Sequence, residues 1–157
     1  MERFIKGVNS YIFMLESIIF MGNYKVSINQ NKVTLPVSFR NSLASTIGLD
    51  YYVLISQETE DGLKYLKFEP ISKLEYDNLA QQMSNAKASE KEEFFAKLKA
   101  EVNKQGRVNL KSKLVDFLNS QEGDKYYFLG CGRYFELHKK YEKEIFDMVS
   151  WQEESDD

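Results

Sequence analysis

One cysteine, Cys131, and one histidine, His138, stand in 157 residues. A single thiol excludes an intramolecular disulfide, and the pair is too small a set to hold structural zinc, which takes about four Cys or His ligands. No thiol–imidazole couple is expected either, because the two read as one strand and the residue after it. The ordinary reading is a buried thiol and an exposed strand-end imidazole, in a chain at home in a reducing cytosol. Long apolar runs are also missing. Arg3 and Lys6 precede apolar stretches at 11–15 and 18–21, but Asn9, Ser10, Glu16 and Ser17 interrupt them and no small-residue cleavage site follows. Spanning a bilayer takes about 18 uninterrupted apolar residues, so no membrane association is expected. Residues 1–20 read as an extension ahead of the domain, with Met14 and Met21 as alternative starts to Met1.

Catalytic constellations are absent as well. Gly130-Cys131-Gly132 lacks the third glycine and the following helix of a phosphate loop and reads as a hairpin turn. Glu92, Glu93, Glu142 and Glu144 sit on lysine-rich helical stretches and read as solvated faces. The expectation is a protein that is not an enzyme and needs no cofactor, metal or small-molecule substrate. What the chain does have is 43% hydrophobic and 14% aromatic residues, enough to fill a core and favouring strands.

The net charge of −3 conceals two basic windows. Between Glu16 and Asp50 the only charges are Lys25, Lys32 and Arg40, and between Glu101 and Asp116 they are Lys104, Arg107, Lys111 and Lys113. The windows carry +3 and +4, which leaves −10 on all other residues. Such clusters are the electrostatic footprint of a nucleic-acid binder.

The windows coincide with an internal repeat. At an offset of 75, Lys32-Val33-Thr34-Leu35 falls on Arg107-Val108-Asn109-Leu110, Phe39 on Leu114, Leu43 on Leu118, and Tyr51-Tyr52-Val53-Leu54 on Tyr126-Tyr127-Phe128-Leu129. Lys67-Phe68-Glu69 then matches Tyr134-Phe135-Glu136 at an offset of 67. Each copy reads as a strand (24–28; 100–103), a polar turn, a short strand (32–35; 107–110) and a short helix on Val37, Phe39, Arg40 and Leu43, or on Leu114, Val115 and Leu118. A hairpin follows, 51–56 with 63–69 and 126–131 with 133–137, through Gly62 and Gly132. Each copy closes with a helix, 72–83 and 139–149, and a further charged helix over 90–101 lies between them. A unit this small cannot stand alone, so the copies are expected to share one core as a fused pseudo-symmetric barrel. The organisation reads as extension 1–20, repeat one with its helix 21–83, connecting segment and charged helix 84–101, repeat two with its helix 102–150, and acidic tail 151–157. The fold class is α+β, mainly β with helices. The adjacent tyrosines at 51–52 and 126–127 point to opposite faces of their strands and read as packing residues, not a base-stacking platform.

Asn103-Lys104-Gln105-Gly106-Arg107-Val108-Asn109-Leu110 closely resembles the Asp-x-x-x-Arg turn of the MraZ family. Phe20-Met21-Gly22-Asn23-Tyr24 resembles that family's beginning, Thr34-Leu35-Pro36-Val37-Ser38-Phe39-Arg40 the stretch after its first turn, and Leu129-Gly130-Cys131-Gly132-Arg133-Tyr134-Phe135-Glu136 its second hairpin. The resemblance runs from about residue 20 to 149. It implies paired swapped-hairpin units of the SpoVT-AbrB type, packed as a double-psi-like β-barrel and assembled into a homo-oligomeric ring. It also implies a cytoplasmic, nucleoid-associated regulator of transcription that binds double-stranded DNA at repeats ahead of cell-division and cell-wall genes. By position Arg107 carries the DNA contact in copy two and Lys32 in copy one.

The sequence departs from that pattern in ways that bear on function. Asn103 replaces the usual Asp, and Asn29-Gln30-Asn31-Lys32 is one residue shorter than the usual turn, with Asn31 for Gly and Lys for Arg. Lysine neutralises phosphate but lacks the planar fork that reads guanine, so copy one is expected to position and copy two to specify. Asn103, Lys104, Lys111 and Lys113 join Arg107 and Lys32 as candidate DNA contacts, with solubility as the other role of the flanking lysines. Lys25 and Arg40 are open between DNA and, for Arg40, a neighbouring subunit's acids. Gly106, Asn29 and Asn31 are assigned to supporting the turns. With the first turn degraded, an oligomeric interaction or scaffold subunit with weak non-specific DNA binding is the alternative.

Overall fold

A computed structural model describes residues 19–121 and 124–139. The fold is α+β, and the described residues form twelve elements in the order β1 (Asn23–Val26), β2 (Lys32–Thr34), α1 (Val37–Thr46), β3 (Tyr51–Glu60), β4 (Leu63–Ser72), α2 (Lys73–Met83), α3 (Ala88–Ala96), β5 (Leu98–Ala100), β6 (Arg107–Asn109), α4 (Lys111–Phe117), β7 (Tyr126–Gly130) and β8 (Phe135–Lys139). The acidic tail and nearly all of the expected helix at 139–149 lie outside the described residues, as does most of the extension.

The ladders are antiparallel and exchange strands between the copies. β1 of copy one pairs with β7 of copy two, while β5, which the offset of 75 makes the equivalent of β1 and so the first strand of copy two, begins two residues before the strand expected at 100–103, inside the expected connecting segment, and pairs with β3 of copy one. The hairpins β3–β4 and β7–β8 join edge to edge through Phe68↔Phe135 and Leu66↔Leu137. The result is a six-stranded sheet in the order β1-β7-β8-β4-β3-β5, with a separate two-stranded ribbon of β2 and β6. The expected closed barrel is not what these ladders draw. Among the described residues the sheet ends in β1 on one side and β5 on the other.

Period-two alternation explains which face is buried. Val53 and Ile55, Leu66 and Phe68, and Phe135 and Leu137 enter one cluster with Phe39 and Leu43 of α1, Leu114 and Leu118 near α4, and Val33 and Val108 of the ribbon. Phe39 is the hub. Its ring lies 5.1 Å from Phe20, 5.3 Å from Tyr24 and 4.8 Å from Phe135, at the edge-on and tilted angles that aromatic pairs prefer. Both copies therefore bury their apolar faces in one core. Phe20 belongs to it, fully buried and tied to the β7–β8 hairpin by Phe20 N–H donating to Gly132 O at 2.7 Å.

Two segments differ from the sequence reading. The helix expected over 90–101 stops at Ala96, and Leu98–Ala100 becomes β5. The stretch Ala-Lys-Leu-Lys-Ala favours helix intrinsically, but pairing on β3 with Ala100 inside and Lys99 outside wins, as tertiary context overrides propensity. The β3–β4 hairpin also runs beyond the expected 51–56 and 63–69, out to Glu60 and Ser72, because polar residues such as Glu58, Thr59 and Lys64 complete the ladder past the core's rim.

Candidate nucleic-acid interface

The two polar turns are built differently. In copy one Asn29 and Lys32 exchange backbone hydrogen bonds of 2.9 Å in both directions around two residues, Gln30 at φ 53° and Asn31 at φ 65°. Two left-handed residues define a type I′ turn, whose twist suits a two-residue hairpin and whose preferred sequence is Asn-Gly. Gln30 is the poor fit, since a residue other than Gly, Asn or Asp meets a steric penalty there. Converting Gln30-Asn31 to Asn-Gly is expected to raise stability by about 1 kcal/mol, read as a higher urea midpoint at unchanged m-value.

In copy two three residues fill the turn. Gly106 N–H donates to Asn103 O at 2.9 Å, Asn103 N–H donates to Arg107 O at 3.0 Å, and Gly106 takes φ 82°. Asn103 Oδ1 accepts from both Gln105 N–H and Arg107 N–H at 2.9 Å. Its oxygen thus organises the turn, a role an aspartate would fill equally, and only Nδ2 is left for an outside partner. Gln105 Oε1 accepts from Arg107 Nη1 at 3.3 Å, resting the guanidinium over the turn.

Each turn is fastened to the opposite copy. Leu35 N–H donates to Gly106 O, and Leu110 N–H donates to Asn31 O, both at 2.8 Å, extending the β2–β6 ladder at its two ends. Arg40 braces this junction: its Nε donates to Leu35 O at 3.1 Å, and its side chain fills the space where a Cβ on Gly106 would stand. Arg40 is accordingly a structural strut of the turn and its guanidinium is placed by that task.

The register of the ribbon sets the surface. Lys32 lies opposite Asn109, Val33 opposite Val108 and Thr34 opposite Arg107. With both valines in the core, period two places Lys32, Thr34, Arg107 and Asn109 on the outer face. The repeat's two-fold passes through the Val33–Val108 pair, so Lys32 and Arg107 stand diagonally across one ribbon, roughly 7–8 Å apart at their Cα positions. Both are exposed, and among the described residues neither has a carboxylate partner. A two-stranded ribbon is one of the shapes the DNA major groove admits.

The remaining candidates lie in the second turn and at the start of α4. Lys104 is exposed in the second turn. Lys111, held at φ 65° by donating its N–H to Asn109 Oδ1 at 2.9 Å, begins α4 with Lys113, and both line a cleft of about 570 Å³ shared with Glu58, Glu93 and Phe95. Gly106 and Asn31 hold left-handed positions, and Asn29 closes its turn through its backbone. Nothing in the sequence singled out Asn109 or Gln105; their signal is the ladder register and the turn bonds.

Chemistry elsewhere is muted. Burial pushes the Cys131 thiol up to about 12, with the Glu136 carboxylate adding to the effect. Such a thiol is a poor nucleophile near neutral pH. His138 is not the exposed imidazole expected at a strand end: it is sandwiched between Tyr65 at 4.7 Å and Tyr127 at 5.3 Å, with Glu136 Oε1 2.8 Å from Nε2. Strand pairing of β8 with both β4 and β7 places a tyrosine on each side of it. The tyrosine pairs split between faces, Tyr126 inward in the core cluster and Tyr127 on His138, Tyr51 against the core and Tyr52 on Tyr76 of α2. Among the described residues no three His, Cys, Asp or Glu side chains gather as a metal site, and no helix is long and apolar enough to cross a membrane. No protein-family model matches the chain, and no curated protein is significantly similar to it.

Proposed function

We propose that the chain is a sequence-specific double-stranded-DNA-binding regulator of transcription similar to MraZ, acting in the cytoplasm at the nucleoid on repeats upstream of a cell-division or cell-wall gene cluster. The observation that carries this reading is the outer face of the β2–β6 ribbon, where the two repeat-equivalent cations Lys32 and Arg107 stand together with no carboxylate partner among the described residues. The exchange of β1 and β5 between copies supports the swapped-hairpin, SpoVT-AbrB-type reading of the fold. Lys32 anchors on phosphate, Arg107 reads guanine, and the lysines at 104, 111 and 113 add attraction to the backbone. Gel-shift titration against the region upstream of the protein's own gene, beside scrambled DNA, tests it. Preference for the upstream region that weakens with salt supports the reading. Binding that does not distinguish the two DNAs favours a scaffold with non-specific affinity, and no binding at low salt removes the proposal.

A homo-oligomeric ring belongs to the same proposal. The sheet ends on β1 and β5, strands of four and three residues whose outer edges have no ladder among the described residues, and the unpaired N–H and C=O groups of an open edge can be met by a strand of another copy. Light scattering is expected to give a discrete species well above 18.4 kDa, and a monomer at micromolar concentration would contradict the ring.

A further inference from the structure

We infer that Asn109 is a second base-reading residue of the ribbon, taking the major-groove edge of an adenine about two base-pair steps from the guanine addressed by Arg107; this rests on the DNA reading above.

Arg107 and Asn109 are two apart on β6, so their side chains leave the same face of the ribbon. At about 3.4 Å of rise per residue they are roughly 6.8 Å apart, and base pairs along B-DNA are about 3.4 Å apart, so the two side chains address positions two steps apart. Asn109 is exposed and directly opposite Lys32, beside a cation suited to an adjacent phosphate.

The carboxamide is also pre-oriented. Its Oδ1 accepts the Lys111 backbone N–H at 2.9 Å, and a backbone donor can be met only by the oxygen, so the amide's direction is fixed. One lone pair of Oδ1 and both hydrogens of Nδ2 remain, which is what adenine requires: its N6 amino group donates to Oδ1 while Nδ2 donates to its N7. Because folding has already restrained this side chain, little further freedom is lost on binding.

The repeat makes the contrast visible. The equivalent of Asn109 in copy one is Thr34, half-buried and opposite Arg107, with a single hydroxyl in place of a bidentate amide. The outer face is thus symmetric in shape and asymmetric in chemistry. β6 presents the arginine and the asparagine that discriminate bases, and β2 presents a lysine and a threonine that anchor.

Selection from a randomised duplex library with the full chain tests this. Wild type is expected to enrich guanine and, two steps away, adenine. Asn109→Asp keeps the oxygen that accepts Lys111 N–H but loses the donor to N7. It is expected to reduce the adenine preference roughly tenfold, to favour cytosine there through its N4 amino group, and to leave the guanine untouched. Asn109→Ser, without the added charge, is expected to lose the adenine alone. Preferences are compared within each protein, so uniform weakening cancels. Arg107→Ala is expected to lose the guanine and keep the adenine. If both Asn109 variants select as wild type does while Arg107→Ala loses its guanine, the inference fails and the DNA reading stands. If wild type selects no sequence, both fail.

Discussion

Replacing Gly130 by alanine is expected to destabilise the protein by about 3 kcal/mol or more. A Cβ at this position would stand 2.5 Å from Met21 N, Phe20 C and Phe20 O, all backbone atoms that no rotamer change can move aside. That backbone is held by Phe20 N–H to Gly132 O at 2.7 Å, Gly132 N–H to Phe20 O at 3.2 Å and Gly130 N–H to Gly22 O at 2.9 Å. Making room breaks these bonds and draws the Phe20 ring out of its contacts with Phe39 and Phe135. Losing a buried phenylalanine costs about 3–5 kcal/mol. Gly48→Ala is the control: φ there is 88° and nothing lies within 4 Å, so only the left-handed backbone penalty of about 1–2 kcal/mol applies. Urea midpoints for the two variants give the comparison. Equal losses would mean that Phe20 does not cross Gly130 in solution.

Arg107→Ala is expected to reduce DNA discrimination by about 1–3 kcal/mol, from several-fold to a hundredfold, whereas Lys32→Ala weakens all sequences alike. The turns explain the difference. Gly106 at φ 82° and the two bonds to Asn103 Oδ1 present Arg107 at the end of a full three-residue turn, and Gln105 engages only Nη1 of its guanidinium. The rest of the fork is available to both guanine acceptors. Lys32 closes the shorter turn and offers a point charge, so its loss is expected to flatten the salt dependence of binding by about 0.9 per phosphate contact. In an oligomer each effect is multiplied by avidity, which preserves the order. Fluorescence anisotropy on cognate and scrambled duplexes across a salt series measures both quantities. Lost specificity in Lys32→Ala with specificity intact in Arg107→Ala would reverse the assignment.

Local order was legible in the sequence, and non-local pairing was not. The repeat at an offset of 75 puts Lys32 and Arg107 in equivalent places, and the one-residue difference in turn length is countable from the residues alone. Which strand each copy's first segment joins could not be read, because β1–β7 and β3–β5 connect residues far apart and β5 is too short to announce itself against the helical pattern before it. The open sheet has the same origin: alternation marks the buried face of a strand and says nothing about whether the ladder closes. At the site, charge was visible and geometry was not. From the residues alone Arg40 stays open between DNA and a neighbouring subunit's acids, because its actual partners, Leu35 O and the Gly106 turn, are brought to it by the β2–β6 ladder. His138 read as exposed because the tyrosines that enclose it come from β4 and β7.

Hydrogen exchange measured by mass spectrometry, with and without the upstream duplex, tests the central claim most directly because it locates the bound surface without altering the protein. Peptides covering 29–35 and 103–111 are expected to slow on DNA binding, their turn amides most, while α2 and α3 exchange as in the free protein. Protection confined to residues 73–96, or DNA binding that leaves both turns unchanged, would contradict the assignment of the ribbon as the DNA surface.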